Sequence, residues 1–302
     1  MTDLSVVVSS YSEQRLEFIE DLLRALANQV FKDFETVVIV DGPRSLYEHV
    51  SSIVHEVNPP SPSMICTGGT LGASATRNLG WLNARGRLVA FLDDDVIPTK
   101  DWTLQIQKFF MDHPNADVVT GAAYPKWKDS SISWLPLPLH WIVSCTDWLG
   151  DAPMPTDRLW SMNCVIKKDA LQEVNGFDER LGPHNGAAGY QGIAEDLELG
   201  LRLKTKSRSL WFAPDIKCAH YVMPEQVTLT YIAVRSLWIG RTRKLARKLG
   251  VTMNAELGLL RLFISPSLVK DITRSGAKSI ILALTSLVIS LISFSVGLLH
   301  SL

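Results

Sequence analysis

The sequence lacks the cysteine spacing of a zinc-binding or disulfide-stabilised protein. Its 302 residues include four scattered cysteines and no CxxC pair. Neither kind of site is therefore indicated, and a reducing compartment fits best. The chain also lacks an excess of charge of one sign, because 30 Lys and Arg face 31 Asp and Glu, for a formal net charge of -1. Nucleic acid is therefore not expected as the main partner.

No signal peptide is expected either, because residues 1–3 lead directly into a short apolar stretch. Near the other end, residues 279–299 contain no charge. A helix of that length spans about 30 Å of hydrocarbon, so the sequence predicts one transmembrane helix over residues 278–300. Three cations precede it, which predicts a single-pass cell-membrane protein with the preceding chain in the cytoplasm. A buried core helix is the alternative.

Three consecutive carboxylates follow a short apolar run in the first half of the chain. Residues 88–92 are all apolar and predict a strand that is buried on both faces. Asp93, Asp94 and Asp95 then stand at its C-terminal end, where open α/β sheets bind ligands. Their mutual repulsion indicates a divalent cation, Mg²⁺ or Mn²⁺, which usually also binds substrate phosphates. The alternative is a solvated acidic turn.

Strands alternate with helices around this run. Apolar and β-branched stretches at residues 5–9, 35–40 and 64–67 predict strands, and residues 15–29 and 73–84 predict helices. Such alternation is typical of an α/β fold with a mostly parallel, doubly wound sheet. Asp41, which ends the second strand, is then expected at the same sheet edge as residues 93–95.

The glycine-rich residues 68–72 are similar to a phosphate-binding loop before a helix. They lack the spacing of dinucleotide-binding and P-loop motifs. Arg77 lies one turn into the following helix, where it reaches either a phosphate or nucleotide base, or an acid at the sheet edge.

The composition shifts between residues 124 and 160, which contain five Trp and five Pro. Pro136 and Pro138 exclude one continuous helix. The segment predicts a long functional loop whose rings stack on a sugar or rest in the lipid interface. Packing of a second subdomain is the equal alternative.

The second half contains a further acidic pair and a basic stretch. Glu195 and Asp196 begin a short predicted helix, as catalytic groups or as an ordinary helix start. His220 ends an apolar run, where a lone histidine is usually structural. Residues 226–255 contain six cations and no acid. Their amphipathic spacing favours an anionic lipid surface, with a solvated charged face as the alternative.

Taken together, residues 4–224 resemble the inverting family 2 glycosyltransferases of GT-A fold. The likeness rests on the order and spacing of several short motifs. They are Ser9-Ser10-Tyr11-Ser12, Val40-Asp41-Gly42-Pro43, Gly72-Ala73-Ser74-Ala75-Thr76-Arg77-Asn78, the Asp93–Asp95 element with Pro98, Asn175-Gly176-Phe177-Asp178-Glu179, and Ala194-Glu195-Asp196-Leu197. One of the two acids of the family's DDGS motif is absent here.

The resemblance implies a role for each of these sites. The residues implied in donor binding are Tyr11, Asp41, Arg77, Asp93 and Asp94. Asp41 would contact the nucleotide base and Asp93 the ribose. Asp95, and His220 as in some relatives, would bind the metal. Asp196 would be the general base, with Glu195 beside it in the catalytic pair. The acceptor or lipid phosphate is assigned to Trp160, Trp238, Arg241, Arg243 and Lys244.

The basic stretch and the predicted span are similar to those of archaeal and bacterial enzymes of lipid-linked glycan assembly. No QxxRW motif occurs, which argues against a processive synthase. The expected partners are a nucleotide-diphosphate sugar, a dolichyl- or polyprenyl-linked acceptor and the membrane. The alternatives are a polyprenyl-phosphate sugar synthase, a glycolipid synthase, and a catalytically idle carbohydrate-binding protein. The expected divisions are residues 1–122 for the donor, 123–224 for the acceptor, 225–277 for the basic helices, and 278–300 for the span.

Overall fold

The computed structural model describes residues 3–181, 195–248 and 277–299. Its helices are α1 Leu16–Ala27, α2 Arg44–Val57, α3 Ala73–Asn83, α4 Trp102–Asp112, α5 Lys168–Val174, α6 Glu195–Thr205, α7 Leu229–Lys248 and α8 Ala277–Leu299. Its strands are β1 Leu4–Ser10, β2 Phe34–Val40, β3 Pro62–Cys66, β4 Leu88–Leu92, β5 Val96–Pro98, β6 Val118–Trp127, β7 Met154–Pro155, β8 Asn163–Lys167 and β9 Leu210–Val222. Short 3₁₀ helices cover Glu13–Arg15, Ser130–Ile132, Leu137–Val143 and Pro224–Val227.

The strands form one nine-stranded sheet with the order β3-β2-β1-β4-β8-β6-β9-β5, and β7 pairs with β9. The neighbours from β3 to β4 are parallel, as the alternation of strands and helices predicted. The pairs β4–β8, β6–β8 and β7–β9 are antiparallel. The sheet is therefore mixed rather than mostly parallel, because β8 enters beside β4 in the opposite direction.

The core lies where the helices cover the parallel strands. Every residue of β2 and of β4 is buried, which explains why β4 and residues 37–40 of β2 are apolar runs rather than alternating patterns. Helix α1 buries one face, made of residues spaced three and four apart. Gly80 allows α3 to approach β1 closely, because a Cβ atom there would lie 2.1 Å from Val7 Cγ1.

The described chain forms two compact units. One contains Met1–Ala122 and Ala152–Ala219, and the other contains Ala123–Asp151 and His220–Leu302. These units differ from the four segments that the sequence suggested. Residues 152–219 belong to the first unit because β8 pairs with β4 on one side and with the start of β6 on the other.

The Trp- and Pro-rich segment is largely packed. Trp141 and Trp148 are buried in the second unit, and Trp148 Nε1 donates to the Cys145 carbonyl at 2.9 Å. The His140 ring lies between the Asp147 carboxylate, 2.9 Å from Nδ1, and the Leu135 carbonyl, 3.1 Å from Nε2. For these two tryptophans, subdomain packing therefore replaces the predicted stacking or lipid contact.

Helices α7 and α8 pack together in the second unit. Ser236 Oγ lies 3.0 Å from Ser290 Oγ, and both residues are buried at this contact. The exposed apolar side chains of α8 form a face with a three- and four-residue repeat. They are Ile281, Leu284, Val288, Leu291, Ile292 and Val296.

In the ranges that the structure describes, no helix is long and apolar enough to cross a membrane. The transmembrane helix predicted over residues 278–300 is therefore not supported.

Candidate functional site

The candidate site lies at the carboxyl edge of the parallel strands in the first unit. Strands β2, β1 and β4 are adjacent and parallel, so the residues that follow them come to one edge of the sheet. Tyr11 follows β1, Asp41 follows β2, and Asp93 to Asp95 follow β4. The alternation of strands and helices predicted this common edge for Asp41 and the three aspartates.

Asp41 shapes the glycine-rich loop. Its buried carboxylate accepts hydrogen bonds from the backbone N–H groups of Leu71, at 2.8 Å, and Gly72, at 3.0 Å. Thr67 Oγ1 donates to it at 3.0 Å. The two N–H groups that would face a phosphate in a phosphate-binding loop are therefore already used by the protein. The contact of Asp41 with a donor base stays a prediction.

Arg15 binds two of the three aspartates after β4, and the sequence reasoning did not single it out. Its Nε and Nη2 donate to the two oxygens of Asp94 at 2.8 and 2.6 Å, and Nη2 also donates to Asp95 Oδ2 at 2.6 Å. The guanidinium lies 5.2 Å from the Tyr11 ring centroid and 5.4 Å from that of Phe18. One signal was available: a cation just after β1 falls at the same sheet edge as the carboxylates.

The electrostatics of this cluster follow from burial and crowding. Burial raises the pKa of Asp94, and Asp95 and Asp93 raise it further, while the hydrogen-bonded Arg15 opposes the rise. Burial lowers the pKa of Arg15, but the hydrogen bond with Asp94 and the charges of Asp94 and Asp95 outweigh burial, so the pKa of Arg15 is raised overall. Burial also raises the pKa of Tyr11. The charge of Arg15 therefore favours the ionised form of Asp94 against the effects of burial and crowding.

Arg77 connects the end of β4 to the start of α6. Its buried guanidinium donates to Asp93 Oδ1 at 2.8 Å and lies 3.4 Å from Glu195 Oε1. The Phe177 ring centroid is 5.5 Å from it. Of the two possibilities predicted for Arg77, the structure has the ion pair with acids at the sheet edge. This pairing brings the predicted donor site and the predicted catalytic pair together.

Glu195 and Asp196 occupy the first turn of α6 in different environments. Glu195 is buried, and its Oε2 has no hydrogen-bond partner among the described residues. Burial raises its pKa to about 7, and Asp196 adds to the rise while Arg77 opposes it. Asp196 is more exposed, and its Oδ1 accepts from the Leu197 N–H at 2.8 Å. Asp196 is therefore the more accessible carboxylate of the pair, at a helix end that favours negative charge.

The raised pKa of Glu195 predicts a pH-dependent effect of Glu195→Gln on stability. Folding favours the protonated acid, so the wild type loses stability as the pH rises from 4.5 through about 7, whereas the amide does not titrate. The variant should match the wild type at pH 4.5 and exceed it by up to about 3 kcal/mol at pH 8 in urea unfolding. Glu198→Gln on the same helix, where the carboxylate pairs with Arg202, is the control. Equal stabilities at both pH values would contradict the assignment.

The remaining predicted residues lie on other elements of the chain. Trp160 is buried in the first unit with the Arg158 guanidinium 4.9 Å from its ring centroid. His220, which is buried near the end of β9, and Trp238 on α7 belong to the second unit. Arg241, Arg243 and Lys244 are on α7, but their side chains are outside the described set. The assigned roles of these residues stay predictions.

The carboxylates of this cluster include the predicted ligand of a metal ion, Asp95. No group of three or more His, Cys, Asp or Glu side chains is placed to bind a metal ion within the described ranges, so the metal site is not confirmed. The chemistry of the cluster nevertheless fits a hard cation, because Mg²⁺ and Mn²⁺ prefer oxygen ligands and often use one or two carboxylates with substrate phosphates. Asp95, whose side chain is 17% exposed against 4% for Asp94, is the more accessible ligand.

Known proteins are similar to this chain in sequence and in fold. The family model described as "Glycosyl transferase family 2" matches residues 5–173. The chain is 23% identical over 242 residues to a protein of Haloferax volcanii named "Glucosyl-dolichyl phosphate glucuronosyltransferase", covering 80% of this chain and 76% of that protein. Other curated glycosyltransferases match over 96 to 125 residues, and the chain spans 18% to 46% of their length.

Solved structures share the fold. The mannosyltransferase PcManGT from Pyrobaculum calidifontis, determined with GDP-Man and Mn²⁺, superposes with a TM-score of 0.62 at 16% identity, covering 98% of this chain and 87% of that one. Residues 1-349 of S. aureus TarS superpose with a TM-score of 0.54 at 18% identity, covering 98% and 90%. These likenesses support a mixed α/β, GT-A-like fold.

Proposed function

Because the chain belongs to glycosyl transferase family 2 and is a glycosyltransferase that acts on a nucleotide sugar, we propose that it transfers a hexose-type sugar to a lipid-linked acceptor, a dolichyl or polyprenyl phosphate or a glycan on one. The observation that carries the proposal is the cluster in which Arg77 joins the aspartates after β4 to Glu195 and Asp196. The Haloferax volcanii relative is named as a transferase of glucosyl-dolichyl phosphate, which supports the choice of a lipid-linked acceptor.

The donor would bind at the carboxyl edge of β1, β2 and β4. Its nucleoside would lie near Tyr11 and Asp41, its ribose at Asp93, and its diphosphate near Asp95. A divalent cation bound at Asp95 would neutralise charge on the leaving diphosphate. The described PcManGT complex contains Mn²⁺ and GDP-Man, which supports this choice of cation for the fold. Arg77 and Arg15 would hold the carboxylates in place around the donor.

The transfer would be a single displacement at the anomeric carbon. When the acceptor is a hydroxyl group of a lipid-linked glycan, its oxygen forms a bond to that carbon on the face opposite the diphosphate, and its proton passes to Asp196. The oxygen of an ionised lipid phosphate would attack in the same direction without giving up a proton. The bond from the anomeric carbon to the diphosphate oxygen breaks, and the electron pair leaves with the nucleoside diphosphate. The configuration at the anomeric carbon is thereby inverted. Asp196 suits the role of general base because it is the more exposed acid of the pair.

The second unit would hold the enzyme at the cytoplasmic face of the cell membrane. Helix α7 contributes basic residues, and α8 presents an exposed face of apolar side chains. A helix with such a face can lie in the lipid interface without spanning the bilayer. Each cation near an anionic surface contributes about 1 kcal/mol to attraction. A lipid-linked acceptor would then be found in the same surface.

Donor and metal dependence test the proposed function. Nucleotide sugars are screened with Mn²⁺ for a rise in the thermal unfolding temperature, and the best donor is then assayed for transfer to dolichyl phosphate and glycosyl-dolichyl phosphate. Asp95→Asn should lose the Mn²⁺-dependent rise and the transfer, whereas Asp112→Asn, an exposed aspartate on α4, should keep both. If the wild type binds a donor but neither transfers nor hydrolyses its sugar, the protein is instead the catalytically idle carbohydrate-binding protein.

Membrane binding is tested on α8. Replacing Ile281, Val288 and Ile292 by glutamine removes apolar side chains that are 65%, 55% and 60% exposed. Co-flotation with vesicles containing anionic lipid should fall by at least about tenfold, because burying each side chain is worth roughly 1.5–3 kcal/mol. Met111→Gln, at a 79% exposed position on α4, is the control. Unchanged flotation of the triple variant would assign the interaction to another surface.

A further inference from the structure

Arg15 binds two of the three carboxylates after β4 with one guanidinium. Nε and Nη2 bind both oxygens of Asp94, and Nη2 also binds Asp95 Oδ2 at 2.6 Å. The rings of Tyr11 and Phe18 lie within 5.4 Å of the guanidinium carbon. Two aromatic rings and a bidentate pair therefore fix the cation at the position where the proposed donor diphosphate would arrive.

The contact with Asp95 matters most, because Asp95 is the residue assigned to the metal. A divalent cation bound to the Asp95 carboxylate would lie close to the guanidinium nitrogen on Oδ2, and the like charges of the two cations would repel at this distance. We propose that Arg15 is the counter-cation of this cluster in the donor-free enzyme and that the metal ion replaces it at Asp95 when the nucleoside diphosphate binds. The inference rests on the proposed function, which places the metal at Asp95.

The structure indicates which of the two contacts is exchanged. Asp94 is 3% exposed and both of its oxygens are bound by the fork of Arg15, so its pair with Arg15 is retained. The Asp95 side chain is more accessible than that of Asp94 and accepts one hydrogen bond from Arg15, from Nη2. The exchange therefore needs a small shift of the guanidinium rather than its departure from the Tyr11 and Phe18 rings.

This exchange couples metal binding to nucleotide binding. Metal alone must displace a guanidinium and leaves two cations close together, so its affinity is low. The negative diphosphate lies between the two cations and relieves their repulsion, so each ligand strengthens the binding of the other. Arg15 is thus a positioning residue that makes the site bind metal together with donor rather than before it.

Mn²⁺ titrations followed by electron paramagnetic resonance test the exchange without any turnover. In the absence of nucleotide, Arg15→Gln should bind Mn²⁺ at least about tenfold more tightly than the wild type, because the competing charge is gone. Addition of GDP or UDP should tighten Mn²⁺ binding strongly in the wild type and less in the variant. Arg24→Gln, an exposed arginine of α1 that pairs with Glu20 and Glu56, should behave as the wild type.

Two further variants keep the outcomes distinct. Arg15→Gln leaves the buried Asp94 without its cation, so the double variant Arg15→Gln/Asp94→Asn removes both partners and should also bind Mn²⁺ more tightly than the wild type. If both variants bind Mn²⁺ with wild-type affinity while Asp95→Asn abolishes binding, the exchange is wrong and the metal assignment stands. If Asp95→Asn binds Mn²⁺ like the wild type, the metal assignment in the proposed function fails instead.

Discussion

Asp196→Asn is expected to lower turnover by about two to four orders of magnitude while donor affinity stays near that of the wild type. Asparagine keeps the shape of the side chain and can still accept the bond from the Leu197 N–H, which is 2.8 Å long in the structure. It cannot take the proton of an acceptor hydroxyl. The loss should therefore appear in the rate at saturating donor and acceptor, measured as sugar transfer, and not in donor binding measured by calorimetry.

A matched control is available for this substitution. Asp169 also lies in the first turn of a helix, α5, and forms an exposed pair with Arg208 at 3.0 Å. Asp169→Asn makes the same chemical change at an exposed side chain on a different helix and should leave turnover unchanged. If Asp196→Asn weakens donor binding but turns over bound donor at the normal rate, Asp196 is a helix-start residue and the base must be sought elsewhere.

Arg77→Met should destabilise the protein by about 3–5 kcal/mol and abolish transfer, because it removes one partner of a buried ion-pair cluster. The methionine retains much of the packing against Phe177 but leaves Asp93 and Glu195 without their shared cation. Urea unfolding at pH 7.5 measures the loss. Arg44→Met, which removes an exposed pair with Glu48, should cost little.

The pH dependence of the stability lost in Arg77→Met distinguishes lost charge from lost packing. The pKa of Glu195 is already raised by burial, and without Arg77 it should rise further. At pH 5 the carboxyl is then protonated, so the penalty of Arg77→Met should be smaller than at pH 7.5. The double variant Arg77→Met/Glu195→Gln should recover part of the stability at pH 7.5. A penalty that is the same at both pH values, with no recovery, would indicate lost packing rather than lost charge.

The parallel half of the sheet could be predicted from the sequence because its signal is local. Buried strands such as β4 are continuous apolar runs, and the helices between them carry a 3.6-residue repeat. The position of Asp41 and of the three aspartates at one edge then follows because parallel strands have their carboxyl ends at the same edge of the sheet. The antiparallel entry of β8 beside β4 could not be predicted in this way, because it depends on contacts about 75 residues apart in the chain.

The site was predictable in its acids but not in its cations. Carboxylates that are clustered in the sequence can be recognised as a site, because their mutual repulsion must be balanced by a cation. Arg15 and Arg77 compensate them from helices whose sequences allow an arginine equally well at the surface. The choice between a ligand contact and an acid pair for Arg77 is decided by the approach of α6, whose Glu195 is 118 residues away. The packing of Trp141 and Trp148 was equally undecided, because a buried ring and a sugar-binding ring have the same sequence signature.

The thiols of this chain differ enough to give it a built-in attachment point for a reporter dye. Cys145, Cys164 and Cys218 are buried, and burial raises the pKa of the Cys164 and Cys218 thiols, so these groups react slowly with maleimides. Cys66 is partly exposed at the end of β3, one residue before the Thr67 that binds Asp41. A fluorophore attached there sits beside the glycine-rich loop, so the unmutated enzyme can be labelled and its donor occupancy followed optically.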